Sequence, residues 1–250
     1  MEISSQGKLR FKSTGYLVIE NFISVAVVDE IKSGVQAVTL SDGVTMFSDR
    51  QGLPRRLERF TYKDARLIGL MEDVGECVKA VTEEEQVLFK DKVNFKPPGG
   101  EGFNAHYDGI FEYKSLTRKV GRGWFDYADR FTNGLITLDP FTQHNGALEI
   151  ADRHLGDFDE LLNNTNKDGS PDLRHEVALD CEFKPIFCGP GTLIIFDSAC
   201  PHRSGKNRSM DHRSTIYWTY HNAIFGRNYD RYFEDKDASI NKNKALLGEE

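Results

Sequence analysis

His106 and Asp108 stand two residues apart in the segment GFNAHYDGIF. In an extended chain, residues i and i+2 share a face, so an imidazole and a carboxylate would point the same way. The glycine-rich turn PPGGEG before them can open such a strand end onto a cavity. A second imidazole from a distant strand would complete a metal set. His202 is the candidate, because it follows the apolar run GTLIIFD and enters the polar turn RSGKN. Two imidazoles and one carboxylate on one side of a metal leave the opposite positions open. That suits Fe(II) chemistry in which a cosubstrate and O₂ bind together. Zinc accepts the same ligands, so ligand type alone does not decide. Arg213 narrows the choice. A metal-bound 2-oxoacid with a distal carboxylate needs a cation at its far end, and a guanidinium holds a carboxylate through two parallel hydrogen bonds. A hairpin-like return would set Arg213 beside the metal strand, with the hydroxyls of Ser204 and Thr215 adding hydrogen bonds.

Positioning these groups requires many strands. From residue 90 onward, short runs of Val, Ile, Phe and Tyr alternate with glycine-rich or charged turns: KVNFKP, GLITLD, GALEIA, HEVALDCEF, GTLIIFDS and RSTIYWTYH. This pattern predicts a mainly β protein, a barrel or double-sheet jelly roll. The N-terminal part, about 20–88, reads as helical support. Residues 24–40 carry apolar groups at helical spacing behind a capping Ser24. Leu67, Leu70, Met71, Val74, Cys77, Val78 and Val81 recur at spacings of three and four. FKSTGYLVIENFIS reads as a short amphipathic element, a strand and a turn. Gly43 to Arg56 and the segment NNTNKDGSPD read as loops, and 226–250 as a charged outer helix or lid with a loose tail.

The length of 250 residues fits one domain with a sizeable core. Seventeen Phe and nine Tyr supply apolar faces for sheets. The net charge of −7, without a basic block, argues against a nucleic-acid partner. No apolar run is long enough to cross a membrane, and the N-terminus lacks the pattern of a secretory signal. Cys77, Cys181, Cys188 and Cys200 lie far apart without a CxxC pair and read as free thiols of a reducing cytoplasm. The expected partner is a small-molecule substrate; oligomeric state is not legible.

HYD at 106–108 together with HRSGKNRSMDHR at 202–213 resembles the phytanoyl-CoA dioxygenase-like family of Fe(II)/2-oxoglutarate oxygenases. That family's second motif is a His, then Ser-Gly-x-Asn and a Ser, with the cosubstrate Arg eleven residues past the His. His202, Ser204, Gly205, Asn207, Ser209 and Arg213 match it, and KPPGG at 96–100 and HNGALEI at 144–150 match two further segments. The resemblance runs from about Phe11 to Lys236. It implies a double-stranded β-helix of the cupin-like jelly-roll type, with helices packed outside. It also implies Fe(II), with 2-oxoglutarate and O₂ as cosubstrates. In the family a residue on the strand before the HxD motif contacts 2-oxoglutarate; Asn94 stands at a suitable place, with Lys92 and Lys96 competing. Related halogenases have Gly or Ala where Asp108 stands, so the resemblance implies hydroxylation.

The ending TYHNAIFGRNYDRYFEDKDAS is similar to endings of relatives that act on small free amino acids, including lysine halogenases and hydroxylases, and on aminophosphonates. Between the metal motifs, Glu112, Arg118, Arg122 and Trp124 could pair with both ends of a zwitterion. Glu112, Arg118 and Arg122 equally read as loop charge, and Trp124 as core. The expected substrate is a free basic amino acid such as lysine; the alternative is a small aminophosphonate or another small metabolite. Two other classes stay open: a non-enzymatic barrel binding a small anion or a protein, and a cupin-type hydrolase or isomerase, in which Arg213 has no task. His144, His154, His175, His212 and His221 read as structural or surface groups, and Asn207 as a turn organiser.

Overall fold

The computed structural model describes residues 3–114 and 120–247. Helix α1 (Ser5–Thr14) leads into strand β1 (Tyr16–Ile19) and helix α2 (Val25–Val38), which Ser24 caps by accepting from the Val27 N–H. Strands β2 (Thr45–Ser48) and β3 (Pro54–Glu58) follow, then helix α3 (Ala65–Thr82). The seven α3 positions expected from spacing are the seven that are buried. Next come β4 (Gln86–Lys96), β5 (Phe103–His106), the short pair β6 (Tyr113–Lys114) and β7 (Val120–Gly121), β8 (Phe131–Thr137) and β9 (Leu148–Ile150). Helices α4 (Phe158–Leu162) and α5 (His175–Asp180) precede β10 (Lys184–Pro185), β11 (Leu193–Asp197), β12 (His202–Ser204), β13 (Arg213–Asn222) and α6 (Tyr229–Leu247).

A seven-stranded sheet, ordered β1-β11-β8-β13-β4-β3-β2, faces a four-stranded sheet, ordered β10-β9-β12-β5; the strand pairs are antiparallel. This is the expected cupin-like jelly roll with helices outside. Alternation along the central strand β13 divides its two faces. Ser214, Ile216, Trp218 and Tyr220 take one side. Ile216, Trp218 and Tyr220 join Val74 and Val78 of α3 in a core between helices and large sheet. Trp218 also donates to the Thr61 hydroxyl at 2.8 Å, and Tyr220 to the Met71 carbonyl at 2.6 Å. Arg213, Thr215, Tyr217 and Thr219 take the other side, toward the small sheet. There Leu135, Phe141, Leu148, Ile150, Ile194 and Phe196 pack around Tyr217.

Two segments differ from the sequence reading. Gly43–Arg56 is mostly the hairpin of β2 and β3, which widens the large sheet. Asp49 Oδ1 accepts from the Gln51 and Leu53 N–H groups, and its side chain reinforces the backbone hydrogen bonds Asp49 N–H to Leu53 O and Gly52 N–H to Asp49 O in the turn. HEVALDCEF begins as α5, because Glu, Ala and Leu favour a helix where no neighbouring strand claims them. Lys8 and the other polar residues of α1 leave only Phe11 of that helix buried.

Candidate active site

His106 closes β5 and His202 opens β12; the two are direct cross-strand partners, with ring centroids 4.1 Å apart. Asp108 lies just past the end of β5, where its N–H donates to Ser198 O at 3.0 Å. The i,i+2 geometry nevertheless holds. Tyr107 points away into a separate apolar cluster, while one ligand atom from each of His106, Asp108 and His202 lies within 4.8 Å of the others. Both imidazoles use Nδ1 on the carbonyl two residues upstream: His106 on Asn104 O at 2.7 Å, His202 on Cys200 O at 3.1 Å. A carbonyl only accepts, so Nδ1 carries the proton and Nε2 is free for a metal. Asp108 Oδ2 accepts from Asn133 Nδ2 at 2.9 Å, and Asn133 Oδ1 accepts from Thr219 at 2.7 Å, which fixes the carboxylate's orientation. Burial, then His106, push His202 down to about 3. Burial works against the Asp108 charge, but Lys92, His202 and His106 hold its carboxyl well below the usual range. Two neutral imidazoles and a carboxylate form a set that could hold one metal ion.

Arg213 lies in the large sheet, paired with Lys96 of β4, and not beside the strand of His202. Between residues 204 and 213 the chain crosses from the small sheet to the large one, so Arg213 faces the metal set across the interior. It is buried, with its guanidinium 4.3 Å over the Phe141 ring. Thr215 is its neighbour on the same face and pairs with Asn94. Arg213 Nε, Thr215 Oγ1 and Asn94 Oδ1 are buried without hydrogen-bond partners among the described residues. Unpartnered donors and acceptors at one place fit a polar cosubstrate. Ser204 Oγ is engaged differently: it accepts from Lys96 Nζ at 2.8 Å, and that amine also donates to Gly205 O at 2.7 Å and Gly146 O at 3.2 Å. Burial and the nearby Arg213 push Lys96 down to about 6. The turn it holds is close-packed, since a Cβ on Gly146 would lie 2.2 Å from Gly205 O. Asn207 organises the same turn, with Nδ2 donating to Lys96 O and Asp211 O.

A cavity of about 300 Å³ opens beside the metal set. Asn94, Ser204 and Trp124 line it, as do groups the sequence reading missed: Arg56, Lys90, Tyr217, Tyr232 and Lys236. Lys90 Nζ lies 4.6 Å from the Trp124 ring centre and 5.3 Å from that of Tyr232. Lys92 Nζ lies 4.4 Å from the Tyr217 ring centre and 3.9 Å from Asp108 Oδ1. Burial lowers both amines, Lys92 to about 7 despite the pull of Asp108. Lys236 reaches in from α6 and pairs with buried Glu58. The period-two spacing of Lys90, Lys92, Asn94 and Lys96 in an apolar strand was the available signal. Glu112 is exposed and outside this cavity, and Arg122 turns away to stack on Phe158 at 4.3 Å. Arg118 lies outside the described residues. His154 bonds Tyr107, and His221 the Asn222 carbonyl, so neither joins the metal set.

Residues 11–215 match the family model described as phytanoyl-CoA dioxygenase. The chain belongs to this family. The protein is accordingly an Fe(II)- and 2-oxoglutarate-dependent dioxygenase, a hydroxylase of small molecules. It is 26% identical to a 2-aminoethylphosphonate dioxygenase of an uncultured bacterium over 93% of this chain and 87% of that one. It is 27% identical to a methylphosphonate hydroxylase of Gimesia maris over 96% and 89%. Among solved structures, EctD from S. alaskensis superposes with a TM-score of 0.67 at 18% identity, covering 89% of this chain and 78% of that one. SnoK, a carbocyclase of nogalamycin biosynthesis, superposes with a TM-score of 0.69 at 13% identity, covering 88% and 85%. These two share the dioxygenase's fold. No helix among the described residues is long and apolar enough to cross a membrane, and the four cysteines are free.

Proposed function

We propose that this dioxygenase, working as one catalytic domain over residues 1–250, hydroxylates a small phosphonate, with an aminophosphonate the preferred class. The observation that carries this reading is the charge of the cavity wall. Arg56, Lys90, Lys92 and Lys236 line it, and both Lys90 and Lys92 rest on aromatic faces. Lys236 pairs closely with Glu58, Arg56 lies 3.7 Å from the same carboxylate and Lys92 lies 3.9 Å from Asp108, while Lys90 has no ion pair among the described residues. A phosphonate brings up to two negative charges and three acceptor oxygens, which suits several amine and guanidinium donors at once and would draw the lowered lysines back to their charged form. The two phosphonate-acting relatives point the same way. The basic amino acid expected from the sequence fits worse, because its side-chain ammonium would find amine and guanidinium donors on this wall and no free acceptor among them.

His106, Asp108 and His202 would hold Fe(II) through the two Nε2 atoms and the carboxylate. Arg213 would hold the distal carboxylate of 2-oxoglutarate, with Thr215 and Asn94 supplying further hydrogen bonds and Ser204 bordering the same space through Lys96. With O₂, the bound pair supplies the oxidant that converts a C–H bond to C–OH, releasing succinate and CO₂. The protein's own share is placement. Asn133 and Thr219 keep the carboxylate ligand oriented, and the lysine wall anchors the anionic head so that a neighbouring carbon faces the metal. Burial under Trp124, Tyr217 and Tyr232 limits water at that point.

The test is turnover by anaerobically purified, Fe(II)-loaded protein given 2-oxoglutarate, a substrate panel and then O₂. The panel holds 2-aminoethylphosphonate, alkylphosphonates, lysine and other free amino acids. Mass spectrometry follows succinate and the gain of one oxygen atom. Coupled oxygenation of a phosphonate is expected. Oxygenation of lysine alone would overturn the substrate reading and leave the reaction class standing.

A further inference from the structure

The two sides of the cavity differ in charge. One is the basic wall from β3, β4 and α6. The other is built by residues 171–173, which run antiparallel to β5. Tyr107 N–H donates to Pro171 O at 3.1 Å, Leu173 N–H donates to Ala105 O at 2.8 Å, and His106 and Asp172 face each other across the resulting bridge. This pairing turns the end of the Asn/Asp-rich loop into a cavity wall, with Asp172 beside His106. Asp172 Oδ2 accepts from Asn104 Nδ2 at 2.9 Å, which orients the carboxylate. Oδ1 has no hydrogen bond or ion pair among the described residues. Of the two carboxylates on the cavity lining, Asp108 belongs to the metal set; Asp172 is the other.

We infer that Asp172 receives the ammonium group of the substrate and decides between aminophosphonates and plain alkylphosphonates. A short zwitterion anchored by its anion on the lysine wall presents its cationic end across the metal set. Asp172 is the carboxylate available there, and its half-buried position strengthens the attraction relative to open water. An alkylphosphonate leaves that carboxylate without a partner and gains nothing from it. The inference rests on the lysine wall as the anion site.

The experiment compares 2-aminoethylphosphonate with propylphosphonate, which has the same heavy-atom skeleton and a methyl in place of the ammonium. Wild type and Asp172→Asn, both loaded with Fe(II) and 2-oxoglutarate under anaerobic conditions, are titrated with each compound by calorimetry. The kcat/KM for each is then measured in air. Asp172→Asn keeps the Asn104 contact possible and removes only the charge. Wild type is expected to favour the amino compound, and the variant to lower that preference about tenfold in both affinity and kcat/KM. An equal loss for both compounds, or no change in their ratio, would overturn the assignment of Asp172 while leaving the lysine wall standing. If wild type binds neither phosphonate, the phosphonate reading falls and the assignment with it. Asp172→Lys is the charge-reversed control: a larger drop in the same ratio supports the assignment, and an unchanged ratio overturns it.

Discussion

Each candidate imidazole is tethered through Nδ1 to a carbonyl two residues upstream, and the carboxylate between them is tethered through Asn133. Such tethers leave metal-facing atoms little freedom, so ligand geometry is set before a metal arrives. At the opposite end, Arg213 is buried with Nε unpartnered. Arg213→Ala is expected to raise the KM for 2-oxoglutarate about 30-fold or more, on the order of 2 kcal/mol, with Arg213→Lys recovering only part. Steady-state kinetics with varied 2-oxoglutarate checks this; an unchanged KM would remove Arg213 from the cosubstrate site. The buried lysines make a second prediction. Lys92 titrates near 7 in the folded metal-free protein, against an ordinary value of 10.5, because burial disfavours its charge. Between those values the unfolded chain binds more protons than the folded one, so stability rises with pH across that window. The penalty is full below the folded value and vanishes toward the unfolded one. Lys92→Met is expected to remove up to about 1.4 kcal/mol per pH unit from the slope between pH 7.5 and 9.5. Urea unfolding of metal-free wild type and variant measures it, and parallel slopes would contradict it.

Among the elements, α3 packs against β8 with little slack. Gly134 sits in the middle of β8, and a Cβ there would lie 2.3 Å from Val74 Cγ1. Its neighbour Asn133 holds the Asp108 carboxylate, so a shift of β8 would reach the metal set. Gly134→Val is expected to destabilise the fold by about 1–3 kcal/mol through overpacking, and to weaken Fe(II) affinity as well. Adding Val74→Ala opens room and should return part of both losses, a coupling that a double-mutant cycle in denaturant unfolding would reveal. Additive losses would place the damage elsewhere. Helix α6 acts on the other rim: Tyr232 and Lys236 line the cavity, while Arg59 pairs with Asp237 and stacks on Phe233.

Taken as a molecule, the candidate metal set and the proposed cosubstrate clamp belong to different sheets. His106 and His202 are on the small sheet, and Arg213 is at the start of the central strand of the large one. A metal held by the proposed set would staple β5 to β12 and to the loop carrying Asp108, and 2-oxoglutarate held by Arg213 would tie that assembly to the opposite sheet. Ligands that bind only the folded state stabilise it, by about 2.7 kcal/mol at a hundredfold excess over Kd. Anaerobic scanning calorimetry should show Fe(II) raising Tm, and 2-oxoglutarate adding about 5–10 °C only when metal is present. An equal rise from 2-oxoglutarate without metal would mean that the two sites are not coupled through the interior.

Much of this protein was legible in local pattern. The HxD spacing, the distant His202 before a polar turn and Arg213 at a strand start are short-range signals, because strand periodicity alone decides which neighbours share a face. The apolar stripe of α3 was legible for the same reason, with a helical period. Pairing between distant segments is not written in that periodicity. Period-two spacing puts Lys90, Lys92 and Asn94 on one face, a signal the sequence reading passed over, and only the packing of two sheets shows that face to be the lining of a cavity. Arg56 and Lys236 join it from β3 and α6, and Asp172 joins from a loop end that pairs with β5. Glu112 and Arg122, close to the metal motif in sequence, are carried away by the chain's path. The sequence by itself determined the types and spacing of the candidate metal ligands and the sheet architecture that brings them together, and it singled out Arg213 as the proposed clamp. Tertiary structure decided the charge of the cavity wall, because that charge sums side chains brought together only by non-local pairing.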